Sequence, residues 1–279
     1  MKRTLVTCCL WLACAMAAAT AQPLLVNGKD MSKAEIGSLR AAAEAGDAFA
    51  QAELGQRFHK GRDGLPADAQ QAAAWWEKAA AQGELQAIFN LGALHFNGDL
   101  GAKDVARAVA LWKRSGEVLG RSAHLVADIL YRGNGMPKDE AAGIQWYRKA
   151  AELGEAEAQL FFGNLLWDGK GVEKSQAQAV GWYEKAAAQG QAKAAAYAGD
   201  AYEKAQGVQR DLGKAFGLYR KAAEAGDAYG QVKMGEYNAR GLVGEPNLRE
   251  AERWWSKAAE QGHPDGKRLL GIVRQQLGR

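Results

Sequence analysis

Beyond residue 14 the sequence contains no cysteine: Cys8, Cys9 and Cys14 are its three, and all fall in the opening segment. For everything downstream this excludes disulfides, thiolate nucleophiles and cysteine-ligated metal. Proline is nearly as scarce, at five in 279 residues, so little interrupts helices. Neither sign of charge dominates: 36 Lys and Arg stand against 32 Asp and Glu, and without Lys2 and Arg3 the count is 34 against 32. Proteins that grip nucleic acid concentrate a strong positive field to neutralise several phosphates, and this balance argues against such a partner. Past the first segment no apolar run approaches the roughly 20 residues that span a bilayer. With 48% of its residues hydrophobic the chain can still bury a substantial core. Glycine breaks the pattern of scarcity. Thirty-four glycines suit a helical protein only if they recur at fixed structural positions, which is the mark of a repeat.

Residues 1–21 read as a cleaved signal peptide: Lys2 and Arg3 give the positive start, an apolar run follows from Leu5 to Ala19, and Ala19-Thr20-Ala21 offers a small-x-small cleavage site before Gln22. A lipoprotein signal ending at Leu12-Ala13-Cys14 is disfavoured by its short hydrophobic stretch and by Trp11. The expected location is therefore the periplasm, with a cysteine-free mature chain that must be held together by packing alone.

Tandem aromatic or apolar pairs set the period: Trp75-Trp76, Leu111-Trp112, Trp146-Tyr147, Trp182-Tyr183, Leu218-Tyr219 and Trp254-Trp255, whose second members are 36, 35, 36, 36 and 36 residues apart. Each pair sits in an alanine-rich helical run stopped by glycine, at Gly46, Gly83, Gly154, Gly190, Gly226 and Gly262, with Gly120 one place off; a left-handed C-terminal residue is expected at each. Asp68, Asp104, Asp139, Ser175, Asp211 and Asn247 open these helices as caps. The other helix of each unit has apolar positions at three and four residues, with Gly55, Gly92, Gly163, Gly199 and Gly235 inside it. An internal helix glycine costs about 1 kcal/mol relative to alanine, so regular placement points to close helix approach. A lone helix pair cannot bury its apolar face, so neighbours must stack. The resulting plan is an N-terminal segment and capping helix over 22–46, with a capping box at Ser32-Lys33-Ala34-Glu35, six repeats over 47–262, and a C-terminal capping helix over 263–279.

The pattern Ala-x-x-x-Leu-Gly-x-x-Tyr-x-x-Gly-x-Gly-Val-x-x-Asp-x-x-x-Ala-x-x-Trp-Tyr-x-Lys-Ala-Ala-x-x-Gly, shown most fully by Ala158 to Gly190, resembles the Sel1-like repeat family, a relative of the tetratricopeptide repeat. The resemblance implies an all-α fold, a right-handed α-solenoid (superhelix) of stacked helix-turn-helix repeats, with the first helix of each pair lining a concave face. Ser115-Gly116 in place of Ala-Ala, a residue lost near Gly120, and Ala127 in the usual glycine slot mark an irregular stretch.

Catalytic signatures are missing. His95 stands where sister repeats have Tyr202 or Phe58, His59 and His124 lack a second ligand at helical spacing, and His263 lies before Pro264 in an expected exposed loop. No nucleophile elbow occurs, and Gly169-Lys170-Gly171 is a repeat turn rather than a phosphate cradle. No catalytic residue, cofactor or metal site is assigned. Beta-lactamase-like hydrolysis, credited to cysteine-rich relatives with a disulfide per repeat, loses that basis here.

What remains is a surface. First-helix positions outside the core pattern vary strongly between units, among them Arg121, Leu125, Asp128 and Arg132, then Glu157, Phe161 and Asn164, then Lys193, Tyr197 and Asp200. Leu125, Phe161 and Tyr197, expected to be exposed and flanked by Arg121 and Arg132, have the composition of an interface hot spot. In a second series, His59, Phe96, Tyr131 and Trp167, bulky rings would fill the seam between pairs, with Trp167 the exception that could face a partner. The expected function is a periplasmic scaffold holding another protein, most concretely an immunity protein neutralising a toxic phospholipase delivered by type VI secretion. The alternative is a cell-envelope adaptor.

Overall fold

The computed structural model describes residues 25–26, 29–30 and 36–278. The expected signal peptide and the capping box at Ser32-Lys33-Ala34-Glu35 lie outside them. Two two-residue strands, β1 (Leu25–Val26) and β2 (Lys29–Asp30), pair antiparallel. All else regular among the described residues is helix, an all-α repeat fold.

The chain divides into two units, Met1–Leu111 and Trp112–Arg279. The first holds α1 (Ile36–Glu44), α2 (Ala48–Lys60), α3 (Ala69–Ala81), α4 (Leu85–Asn97) and most of α5 (Val105–Gly116), around a core containing Leu39, Leu54, Phe58, Trp76 and Leu91. The second continues from the end of α5 through α6 (Gly120–Arg132), α7 (Glu140–Glu152), α8 (Ala156–Asp168), α9 (Gln176–Ala188), α10 (Ala192–Lys204), α11 (Leu212–Glu224), α12 (Ala228–Arg240), α13 (Leu248–Glu260) and α14 (Pro264–Gln276). Its core runs through Ile144, Tyr147, Phe162, Leu166, Tyr183 and Leu218.

All six expected caps form. Asp68, Asp104, Asp139, Ser175, Asp211 and Asn247 each accept from the amide three residues on, at 2.8–3.4 Å. The cap residue's own N–H donates back to Phe58, His95, Leu130, Leu166, Tyr202 or Asn238 in the preceding helix, at 2.7–3.1 Å, which ties each loop shut. The stops also form: Gly46, Gly83, Gly154, Gly190, Gly226 and Gly262 all have φ between 85° and 99°. Gly120 does not. It is the first residue of α6, and the turn before it is closed by Val118 and Leu119 donating to Ser115 O, so the lost residue has removed the glycine stop.

Ala205 takes the left-handed conformation (φ 56°) that Gly61, Gly98, Gly133, Gly169 and Gly241 take at the corresponding helix ends. A Cβ there costs about 1 kcal/mol, so Ala205→Gly is expected to stabilise the protein by up to that amount and to raise the thermal midpoint by roughly 2–4 °C. An unchanged or lower midpoint would show that the strain is absent.

The internal glycines are sockets for rings. A Cβ on Gly55 would stand 2.6 Å from Trp76, on Gly163 2.6 Å from Tyr183 and on Gly199 2.8 Å from Tyr219, and one on Gly235 would strike Trp255. Opposite them the second helix carries Ala72, Ala179, Ala215 and Ala251, all fully buried. In the third repeat the small pair is exchanged: Ala127 sits in the first helix and Gly143 in the second, where a Cβ would come 2.7 Å from the backbone nitrogen of Tyr131. The buried Ser115 and Ser122 nearby satisfy each other, Oγ to Oγ at 2.7 Å.

Glutamines supply a device that the sequence reading overlooked. Gln51, Gln159 and Gln231 are buried and donate to Ala43 O, Ala151 O and Ala223 O at 3.0–3.3 Å. Gln82, Gln189 and Gln261 then bridge their side-chain oxygens to Gly46 O, Gly154 O and Gly226 O, stitching successive turns. The only available signal was recurrence at the repeat period.

Candidate partner-binding face

In the second unit the expected surface positions gather around a concavity of about 360 Å³ lined by His124, Asp128, Arg132, Glu157, Leu160, Phe161, Gln191 and Lys193. In the first unit, equivalent positions Glu53, Gln56, Gln86 and Asn90 line one of about 240 Å³. There Gln86 donates to Asn90 and Asn90 to Gln56, at 2.8 and 3.1 Å.

The aromatic series is less exposed than its spacing implied. Tyr197 is exposed, at 42%, with its ring edge-on to Tyr183 at 5.6 Å. Phe161 is only half-buried rather than open: it stacks on Tyr147 at 4.1 Å and 23°, with Tyr131 edge-on at 5.2 Å. The reason is the depth to which Tyr147 reaches between α6 and α8. Leu125 is half-buried, and Arg121 and Arg132 are exposed. Trp167 packs half-buried against Tyr183 at 6.1 Å, so it joins Tyr131 and His59 in filling space beside the second-helix ring.

Asp128, Asn164 and Asp200 do more than face outward. Each accepts from the phenol of its own repeat: Asp128 from Tyr147, Asn164 from Tyr183 at 2.9 Å, and Asp200 from Tyr219 at 2.6 Å. Where the ring is Trp, the indole N–H turns to main chain instead, Trp76 to Ala52 O at 3.0 Å and Trp255 to Val232 O at 3.1 Å. The choice of Tyr or Trp in one helix is thus matched by the presence or absence of an Asp or Asn in the other. Burial raises the pKa of all three tyrosines.

Asp200 is the hub of the densest network. Tyr229 also donates to it at 2.7 Å and Lys204 pairs with it at 3.0 Å, while Lys233 bridges Glu203 and Glu236 at 2.8 and 3.5 Å. Burial pushes the Asp200 carboxyl up, but the Tyr219 and Tyr229 hydroxyls and the Lys204 ammonium outweigh it, so it titrates below the usual carboxylate range. A depressed folded pKa stabilises above the unfolded value and is lost as pH falls through the folded one. Asp200→Ala is therefore expected to cost about 1–2 kcal/mol at neutral pH, by orphaning the Tyr229 hydroxyl and leaving the Tyr219 hydroxyl only Glu203 Oε2, at 2.9 Å, as acceptor. The gap from wild type in chemical denaturation should narrow below about pH 4. A gap independent of pH would show that the ionised form contributes nothing.

His124 lies against Tyr147 at 5.8 Å with Nδ1 3.9 Å from Glu157. His263, expected in the open, is half-buried at the start of α14, and its Nδ1 is buried without a hydrogen-bond partner. Among the described residues no group of three His, Cys, Asp or Glu is placed to hold a metal, and no helix is long and apolar enough to cross a membrane.

Stacked helix pairs with a recurrent interior and a variable lined concavity define a repeat scaffold for protein–protein interaction. The chain belongs to the Sel1 repeat family: that repeat matches residues 48–84, 85–117, 120–155, 156–191, 192–227 and 228–263. A Sel1 repeat protein from Oxalobacter formigenes is 28% identical, with TM-score 0.62, covering 81% of this chain and 99% of that one. The protective antigen c5321 of uropathogenic Escherichia coli, described as having an SLR fold, is also 28% identical, with TM-score 0.56 and 86% of this chain covered. This chain spans 59% of that antigen's length. The immunity protein Pa5087 of Pseudomonas aeruginosa is 19% identical with TM-score 0.38, covering 78% of this chain and 83% of that one, a distance at which the likeness says nothing about binding. Among curated proteins none matches.

Proposed function

We propose that this chain is exported to the periplasm and holds one protein partner against the concavity formed by α6, α8 and α10, with Arg121, Leu125, Asp128, Arg132, Phe161, Asn164, Tyr197 and Asp200 as its contact surface. The observation that carries the reading is Tyr197: a large aromatic side chain left exposed beside a charged concavity, whereas Phe161 on α8 and Tyr229 on α12 are half-buried. Trp167, half-buried against the same Tyr183 ring that Tyr197 meets, is the further member of that surface.

In its most specific form the partner is a toxic effector, such as a phospholipase delivered by type VI secretion, and the chain is the immunity protein that covers it. Blocking an enzyme requires only a large specific contact, about 800 Å² on each side, and no chemistry. A cell-envelope adaptor would use the same face without neutralising anything. The test is capture from periplasmic extract by the immobilised mature chain, then expression of the captured protein in the periplasm. Growth arrest relieved by co-expressing this chain supports immunity; a harmless captured protein leaves the adaptor role, and capture of nothing contradicts both.

A further inference from the structure

The concavity between α6, α8 and α10 has a chemical bias that narrows the partner. Its groups differ in how much of their hydrogen-bonding capacity is already engaged. Asp128 accepts from both Tyr147 and Arg132. Glu157 stands at the rim with its side chain 69% exposed, near His124. The cations are less occupied. Arg132 pairs with Asp128 through Nε at 3.0 Å and lies beside the Tyr147 hydroxyl, with its side chain still 54% exposed. Lys193 has no hydrogen-bond or ion-pair partner among them. Leu160 and Phe161 form the apolar floor between these groups.

The geometry points to an acidic segment of the partner as the occupant: an Asp or Glu carboxylate between Lys193 and Arg132, with an adjacent apolar residue on Leu160 and Phe161. This rests on the reading of the concavity as the partner-binding face. An exposed guanidinium and an unpaired ammonium over an apolar floor are the complement of a carboxylate on a short hydrocarbon stem. The carboxylate belongs to a side chain rather than a chain end, because the variable face runs on past the concavity to Tyr229 on α12, which gives a segment room to continue.

The test uses the full mature chain as target for a phage-displayed random peptide library. Peptides pairing Asp or Glu with a neighbouring Leu, Ile, Phe or Trp are expected to be enriched. A synthetic peptide from that set should lose about tenfold or more in affinity for Lys193→Glu, and similarly when its acidic residue is changed to the amide. Lys193 is exposed, so the variant should melt as wild type does. Enrichment of basic or uncharged peptides, no enrichment, or unchanged affinity in Lys193→Glu would overturn the assignment, and loss of binding on amidating the peptide's C-terminus alone would move the carboxylate to a chain end. If Tyr197→Ala abolishes capture of the natural partner while Lys193→Glu does not, the acidic preference fails and the partner-binding reading stands.

Discussion

Gly143→Ala is expected to lower stability by about 2–3 kcal/mol, the range of an overpacked core, even though alanine is the better helix former by about 1 kcal/mol. The new methyl would meet the nitrogen and Cα of Tyr131, 2.7 and 2.8 Å away, and backbone cannot rotate aside as a side chain can. At roughly 2–4 °C per kcal/mol for a chain of this size, the thermal midpoint should fall by roughly 4–12 °C. Pairing the change with Ala127→Gly recreates the arrangement of Gly55 with Ala72, Gly163 with Ala179 and Gly199 with Ala215. The double variant should therefore be more stable than the sum of the single effects by about 1 kcal/mol, a coupling typical of residues in contact. Strict additivity would show that the exchanged pair is coincidence.

Tyr197→Ala is expected to weaken the partner complex by about 2 kcal/mol or more, some 30-fold, as for an aromatic hot spot. Its melting should stay close to wild type, because the ring is exposed and its phenol forms no hydrogen bond with another described residue. Phe161→Ala should behave differently. Phe161 is stacked on Tyr147 and edge-on to Tyr131, so its removal weakens packing as well as binding. Equal destabilisation by the two variants would place Tyr197 in the core as well.

The helical frame was readable because it depends on residues with sharp local roles. An Asp, Ser or Asn just ahead of each second helix reads as a cap, and a glycine after an alanine run reads as a stop. Gly120 escaped this logic because a deletion moved it inside α6, where the same residue type has no left-handed role. The Gly143 and Ala127 exchange was half visible: Ala127 stood out as a departure, whereas its compensation sat in the other helix, at a position that local periodicity does not connect to it. Glutamines such as Gln51 and Gln159 went unnoticed for a different reason. On a helix glutamine is ordinarily solvated, and only the structure shows these donating to a buried carbonyl.

The candidate face was legible as a set of positions but not as an energetic surface. Helical spacing put Asp128, Asn164 and Asp200 on one side of their helices, yet it carried no information on how far the tyrosines of the facing helices extend. Those phenols convert the three residues from free surface groups into supports for the ring beneath. Phe161 changed standing by the same means. Tyr197 kept its exposure, at 42%, although its ring meets Tyr183 in a T-shaped contact at 5.6 Å.

The absence of cysteine beyond the opening segment allows the central claim to be tested at single positions. Tyr197→Cys and Arg148→Cys, the latter on α7 with its side chain 61% exposed, would each be labelled with a bulky maleimide and offered the captured partner. Loss of binding for the label at 197 with retention at 148 is the predicted result. Retention at 197, or loss at 148 alone, would contradict the assignment of the partner to the concavity of α6, α8 and α10.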